Sequence, residues 1–229
     1  MGPSGAPPYS AWVMLTSHRG RHRRGSSLLD PDQRADAGAE GNARLTGGLA
    51  AVLLVLLAAE GFTILRVRAL LTPHVFIGML LIPPVLLKIG STTYRFSRYY
   101  LRAAAYRRKG PPLVLLRLLG PVVVLTTLAV LGTGIALLVA PVSQRDNLLF
   151  LHKASFVLWF VAMAVHVLGH LVDTAKLAPK DWVRPLRRQV PGASLRQWAI
   201  AASVVAGIPL GLLLLDRVGP WLNAAPKGH

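Results

Sequence analysis

Cysteine is absent from this sequence, which excludes disulfides, thiolate metal sites and cysteine-ligated iron–sulfur clusters. Any metal the chain binds has to use histidine or oxygen. Charge is scarce as well: charged residues make up 15% of the chain, only 9 residues are acidic, and 53% are apolar. A soluble domain of this size needs charged residues spread along all its helices. Here they gather in a few clusters between long apolar runs, which is the pattern of a chain whose solvent is lipid. A glycine-rich nucleotide-binding loop, a flavin site and a nucleophile paired with a base are all missing, so the chain by itself is expected to catalyse no bond-breaking step. The pattern contains neither a short-period repeat nor a second soluble domain.

The net charge of +17 first points toward nucleic acid. Most of the basic residues lie between apolar runs, however, and no nucleic-acid-binding motif accompanies them, so nucleic acid is set aside as a partner. Lys and Arg beside transmembrane helices mark the cytoplasmic side, where anionic lipid attracts them.

Residues 1 to about 44 are rich in Gly, Pro, Ser and Arg, with a basic run of Arg19, Arg21, Arg23 and Arg24, and are expected to form a disordered cytoplasmic tail. The tail has neither the apolar core nor the cleavage site of a secretory signal, so the first span is expected to stay in the mature protein. Five apolar spans follow at about 46–65, 71–91, 113–140, 148–172 and 197–215. Each approaches or exceeds the roughly 20 residues needed to cross a hydrocarbon core about 30 Å thick. The expected fold class is all-α: an integral membrane helical bundle of about five transmembrane helices over residues 45–216, four of them forming a cofactor-binding bundle, with a short external tail at 217–229.

The connector at 66–72 is short, which makes the first two spans an antiparallel hairpin. The connector near 92–110 carries Arg95, Arg98, Arg102, Arg107, Arg108 and Lys109 with no acid, and the one near 173–196 carries six Lys or Arg against Asp173 and Asp181. Both are expected to be cytoplasmic. The opposite connectors hold only Arg66 and Arg68, and Arg145 balanced by Asp146. The N-terminus is therefore expected inside and the C-terminus outside, in the inner membrane of a bacterial cell, with spans two and four running in the same direction.

Four of the seven histidines fall in spans two and four: His74, His152, His166 and His170. Imidazole is costly to place in lipid, and ionisable residues within spans face the bundle interior to pair, relay protons or bind a cofactor. Neutral imidazole is also an axial ligand of haem iron. His152 and His166 are 14 residues apart, which on a helix sets them ~40° apart in azimuth and ~21 Å apart in depth. One face of span four therefore has room for two stacked levels. On span two the residue 14 beyond His74 is Lys88, so the outer level has two histidines and the inner level has one.

These positions, with the stretches Thr72-Pro73-His74-Val75-Phe76-Ile77-Gly78, Leu151-His152-Lys153 and Ala164-Val165-His166-Val167-Leu168-Gly169-His170, make the chain resemble the di-haem membrane cytochrome b superfamily. Those are the helical bundles that serve respiratory hydrogenases and formate dehydrogenases or carry electrons from quinol. The resemblance covers about residues 46–172 and implies haem b as cofactor, quinone and a redox protein as partners, and a role as a membrane subunit of an oxidoreductase complex. It implies His74 and His152 as one ligand pair and His166 as half of a second, with Lys88 standing where its partner belongs. One haem is expected per chain, or two if Lys88, His170 or another residue completes the inner level.

Simpler readings of the same residues stand beside these. His74 after Pro73, His152 beside Lys153, and His170 all suit an interfacial position, and His166 suits packing. Lys88 is placed to snorkel toward headgroups or a quinone. Glu60 suits pairing with Arg66 or Arg68, hydrogen bonding to a histidine, or taking a proton from quinol. Pro83 and Pro84 are expected to kink span two. Gly78, Gly132, Gly134 and Gly169 permit close approach of helices or a macrocycle. Tyr94, Phe96, Tyr99, Tyr100 and Tyr106 are expected to form an interfacial aromatic belt. The rival function is non-redox: an assembly factor, or a proton-coupled carrier using His166, His170 and Lys88.

Overall fold

The computed structural model describes residues 31–108 and 114–222; the basic run from Arg19 to Arg24, Lys109 and the end of the expected external tail lie outside them. In chain order the helices are α1 (Pro31–Leu65), α2 (Leu71–Tyr100), α3 (Ala104–Arg108), α4 (Val114–Val139), α5 (Arg145–Leu177), α6 (Arg184–Arg187), α7 (Ala193–Leu214) and α8 (Gly219–Leu222). No strand occurs among the described residues. Five of these helices, α1, α2, α4, α5 and α7, are long and apolar enough to cross a membrane. By length and composition they are those of a multi-pass membrane protein. Their outward faces agree: Phe150, Leu158, Val161 and Leu168 of α5 are all exposed, a surface that is costly in water and free of cost in lipid.

The spans expected from hydropathy coincide with the apolar middles of these helices, and the helices run past them at the ends. The largest departure is at α1. Residues 31–44, expected to belong to a disordered tail, are helical. Their partners explain why. Asp36 pairs with Arg108 at 2.6 Å, and Glu40 pairs with Arg44 at 3.2 Å and with Lys180 at 3.1 Å. Ala39 packs with Ala105 and Tyr106 in a small buried cluster. The polar start of α1 is therefore held by the two basic connectors, which composition read locally does not reveal.

At the centre of this end lies a buried ion network. The Asp181 carboxylate receives Arg196 through two bonds of 2.5 and 2.7 Å and Arg44 at 3.4 Å. Arg44 is 3% exposed and also donates to the Leu186 carbonyl at 2.8 Å. The start of α1 thereby meets the ends of α2 and α5 and the start of α7: Asn42 donates to the Ser91 carbonyl at 3.1 Å, and Gly47 abuts Leu177. α2 and α5 thus finish at the same end of the bundle and run parallel, as expected.

α1 and α2 form one antiparallel hairpin and α4 and α5 another; α1 joins the two by packing on α5, and α7 packs on the other side of α2. Two glycines set the last contact. A Cβ on Gly207 would lie 2.6 Å from the Leu80 carbonyl oxygen, and one on Gly211 would lie 2.6 Å from the Phe76 ring. Gly169 meets Leu116 in the same way, while nothing lies within 4 Å of a Cβ at Gly132. Of the expected aromatic belt, Tyr94, Phe96 and Tyr100 are exposed, whereas Tyr106 is buried among alanines. The Arg117 guanidinium lies 5.0 Å from the centre of the Tyr100 ring and donates a hydrogen bond to its hydroxyl.

Candidate functional site

α2 and α5 each carry a histidine toward their N-terminal ends, and the bundle sets the two opposite each other. The ring centres of His74 and His152 are 6.4 Å apart, with planes at 74°. Each ring is held from behind through Nδ1. The His74 Nδ1 lies 2.9 Å from Glu60 Oε1 of α1 and 3.0 Å from the Thr63 hydroxyl. A carboxylate only accepts, so the proton sits on Nδ1 and donates to Glu60. Thr63 is itself fixed, donating to the Glu60 carbonyl at 2.6 Å.

His152 repeats the arrangement with a neutral partner. Its Nδ1 is 3.1 Å from the Thr133 hydroxyl of α4, whose own hydrogen goes to the Ala129 carbonyl at 2.7 Å. Thr133 therefore accepts from Nδ1–H. In both rings the proton is assigned to Nδ1, and Nε2 is left with its lone pair. This is how metal-binding histidines are oriented, with the second nitrogen donating to a carboxylate or another acceptor. Glycine makes room: a Cβ on Gly134 would come within 3.2 Å of the His152 ring, and one on Gly78 within 3.6 Å of Glu60.

The ring-centre separation of 6.4 Å is close to two metal–imidazole nitrogen bonds of about 2 Å each with the half-widths of the rings added, so the two imidazoles would span a single ion if both Nε2 atoms turned to it. The angle of 74° between their planes is no obstacle, because a bond from a metal to an imidazole nitrogen imposes no fixed angle between the planes of two ligand rings. No group of three or more His, Asp or Glu side chains gathers among the described residues. A haem asks less than that, because its macrocycle fills the equatorial positions and the protein supplies only axial ligands.

The inner level is built differently. His166 and His170 lie one turn apart on α5, their ring centres 4.8 Å apart, and the buried Nδ1 of His166 has no hydrogen-bond partner. The Lys88 Nζ donates to the Thr46 carbonyl of α1 at 2.7 Å, beside a Thr46–Ser91 hydroxyl contact of 3.1 Å, so its ammonium is turned toward α1. Between the levels the Trp159 indole donates to Thr127 at 3.0 Å, tying α5 to α4.

The structure thus gathers His74 with His152, and His166 with His170. Of the roles open to Glu60, it shows hydrogen bonding to a histidine. Thr63 and Thr133 escaped the sequence reading, although Thr63 lies one helical turn after Glu60 and Thr133 sits between two glycines in an otherwise apolar span. Comparison with protein-family models, curated proteins and solved structures finds no match to this chain.

Proposed function

We infer that this chain is a membrane electron-transfer protein that holds haem b between His74 and His152. The observation that carries the reading is the facing pair itself: two imidazoles from separate helices at 6.4 Å, each anchored through Nδ1 so that Nε2 is the ligating nitrogen. Haem b, when bound, supplies one-electron chemistry. The protein's share is to fix the ligands, exclude water through the surrounding helices and tune the ligand field. Glu60 makes the His74 imidazole more electron-rich than Thr133 makes His152, because a carboxylate accepts the Nδ1 proton more strongly than a hydroxyl does. α1, α2, α4 and α5 form the cofactor bundle in this reading, with α7 outside it.

The basic end of the bundle is assigned to the cytoplasm of a bacterial cell by the excess of Lys and Arg in its connectors. This sets the haem level toward the outer face, within reach of quinone or quinol on one side and a redox partner protein on the other. His166 neighbours His170 of its own helix and Lys88 is engaged by Thr46, which favours one haem per chain. A non-redox reading, proton-coupled transport, draws on the same inner cluster, where a buried ring nitrogen lies unpartnered. The absorption spectrum of purified protein separates the two. A reducible Soret and alpha band that His74→Ala and His152→Ala each abolish supports the cytochrome, with pyridine haemochrome giving one haem per chain. A colourless, folded preparation after expression with ample haem rejects it.

A further inference from the structure

At the basic end, two open cavities share a wall. The first, of about 460 Å³, is lined by Arg184, Arg187, Arg188, Pro191, Gly192 and Ser194. Arg187 donates to the Ser194 hydroxyl at 2.6 Å, which fixes one guanidinium over the cavity, and no acid pairs with Arg184 or Arg188 among the described residues. The second, of about 620 Å³, also uses Pro191 and Gly192, and is lined besides by Ala37, Gly38, Gly41 and Leu45 of α1 and Leu195 of α7, with Arg34 and Asn42 at its polar positions. Arg196 borders this second cavity with its charge already taken up by Asp181. A cationic bowl and a largely apolar trough therefore adjoin across Pro191 and Gly192, and they lie where α7 enters its span.

We propose that this composite cavity is a binding site for an anionic phospholipid, with the headgroup phosphate on Arg184, Arg187 and Arg188 and an acyl chain along the trough between α1 and α7. Three arginines without acids make the bowl select a negative group, and guanidinium matches phosphate oxygens in pairs. The trough selects a lipid over a soluble phosphate, because a free anion leaves Gly38, Gly41, Leu45 and Leu195 uncovered. Gly38 is exposed and a Cβ on it would meet nothing within 4 Å, so space for an apolar chain is open beside it. Leu195 and Trp198 are exposed beside it on α7, which places the site at the headgroup level. Basic pockets between helices on the cytoplasmic side suit such lipids. The site is independent of the haem reading, since none of its residues touches His74 or His152.

The test is a titration of the purified full chain in detergent with dioleoyl phosphatidylglycerol, followed by native mass spectrometry, with dioleoyl phosphatidylcholine and inorganic phosphate as comparators. Phosphatidylglycerol should bind saturably and more tightly than phosphatidylcholine, and millimolar phosphate should not displace it. Each arginine near a membrane surface is worth about fivefold in binding, so the Arg184→Ala/Arg188→Ala double variant should bind about 25-fold more weakly. Gly38→Leu, which keeps every charge and fills the trough, should also weaken phosphatidylglycerol while leaving helix content unchanged by circular dichroism. Equal binding by wild type and the double variant overturns the proposal. So does displacement by phosphate with no effect of Gly38→Leu, which would make the bowl a site for soluble anions.

Discussion

At the scale of single residues, the groups behind the two facing imidazoles bear on the proposed haem site as much as the imidazoles themselves. Glu60 is the only acid touching either facing imidazole among the described residues, so Glu60→Gln isolates its charge from its shape. The expected outcome is a haem that stays low-spin, is retained about 10–100-fold less tightly, and has a raised midpoint potential because a negative charge that favours the oxidised iron is gone. A redox titration of the variant checks this, and an unchanged potential would count against Glu60 as the partner of His74. A second residue-scale prediction concerns Asp181, which faces Arg44 and Arg196. Asp181→Asn leaves the poorly solvated Arg196 guanidinium without its anion and Arg44 with Glu40 alone, and should cost roughly 3–5 kcal/mol. Arg44→Ala should cost less, since Asp181 keeps Arg196. Thermal unfolding in detergent ranks the two variants. The histidines were legible in the sequence because an ionisable side chain inside an apolar run is expensive and so stands out. Thr63 and Thr133 were not, because a threonine inside a span satisfies its own hydroxyl on the preceding turn and becomes a ligand support only through the register of a neighbouring helix.

At the scale of helices, hydropathy located the middle of every span and missed the ends. The reason is visible at α1. The apolar run that crosses the membrane is a local property, whereas the helix over residues 31–44 exists because Arg108, Lys180 and Tyr106 come back to meet it from distant connectors. Small residues divide in the same way. The sequence marked glycines in spans two to four, and of these Gly169 does lie against a neighbour, the Leu116 side chain; the closest approach to another helix's backbone lies at Gly207, where a methyl would press on backbone atoms of Leu80. Gly207→Ala should therefore destabilise the protein by about 1–3 kcal/mol, as overpacking does, although alanine is the better helix former. Gly132→Ala meets open space and should be neutral or stabilising. Melting temperatures of the two variants test this, and a neutral Gly207→Ala would mean that α2 and α7 pack less closely than described.

At the scale of the whole molecule, the excess of Lys and Arg in the connectors predicts the orientation. Reporter fusions after Lys109 and Arg188 should read as cytoplasmic and one after Lys227 as external; a cytoplasmic C-terminus would break the five-span arrangement. The neighbour order, with α7 on α2, α2 on α1, α1 on α5 and α5 on α4, adds something that hydropathy does not carry. In a chain inserted as it is translated, α2 would reach the membrane before α7, and lipid tails would cover Phe76 and Leu80 until Gly207 and Gly211 packed against them. Both facing imidazoles, and Glu60 and Thr133 behind them, precede α7 in the chain. The last span would then act as a wedge that expels lipid from α2, and the histidine pair could be assembled before the bundle is sealed.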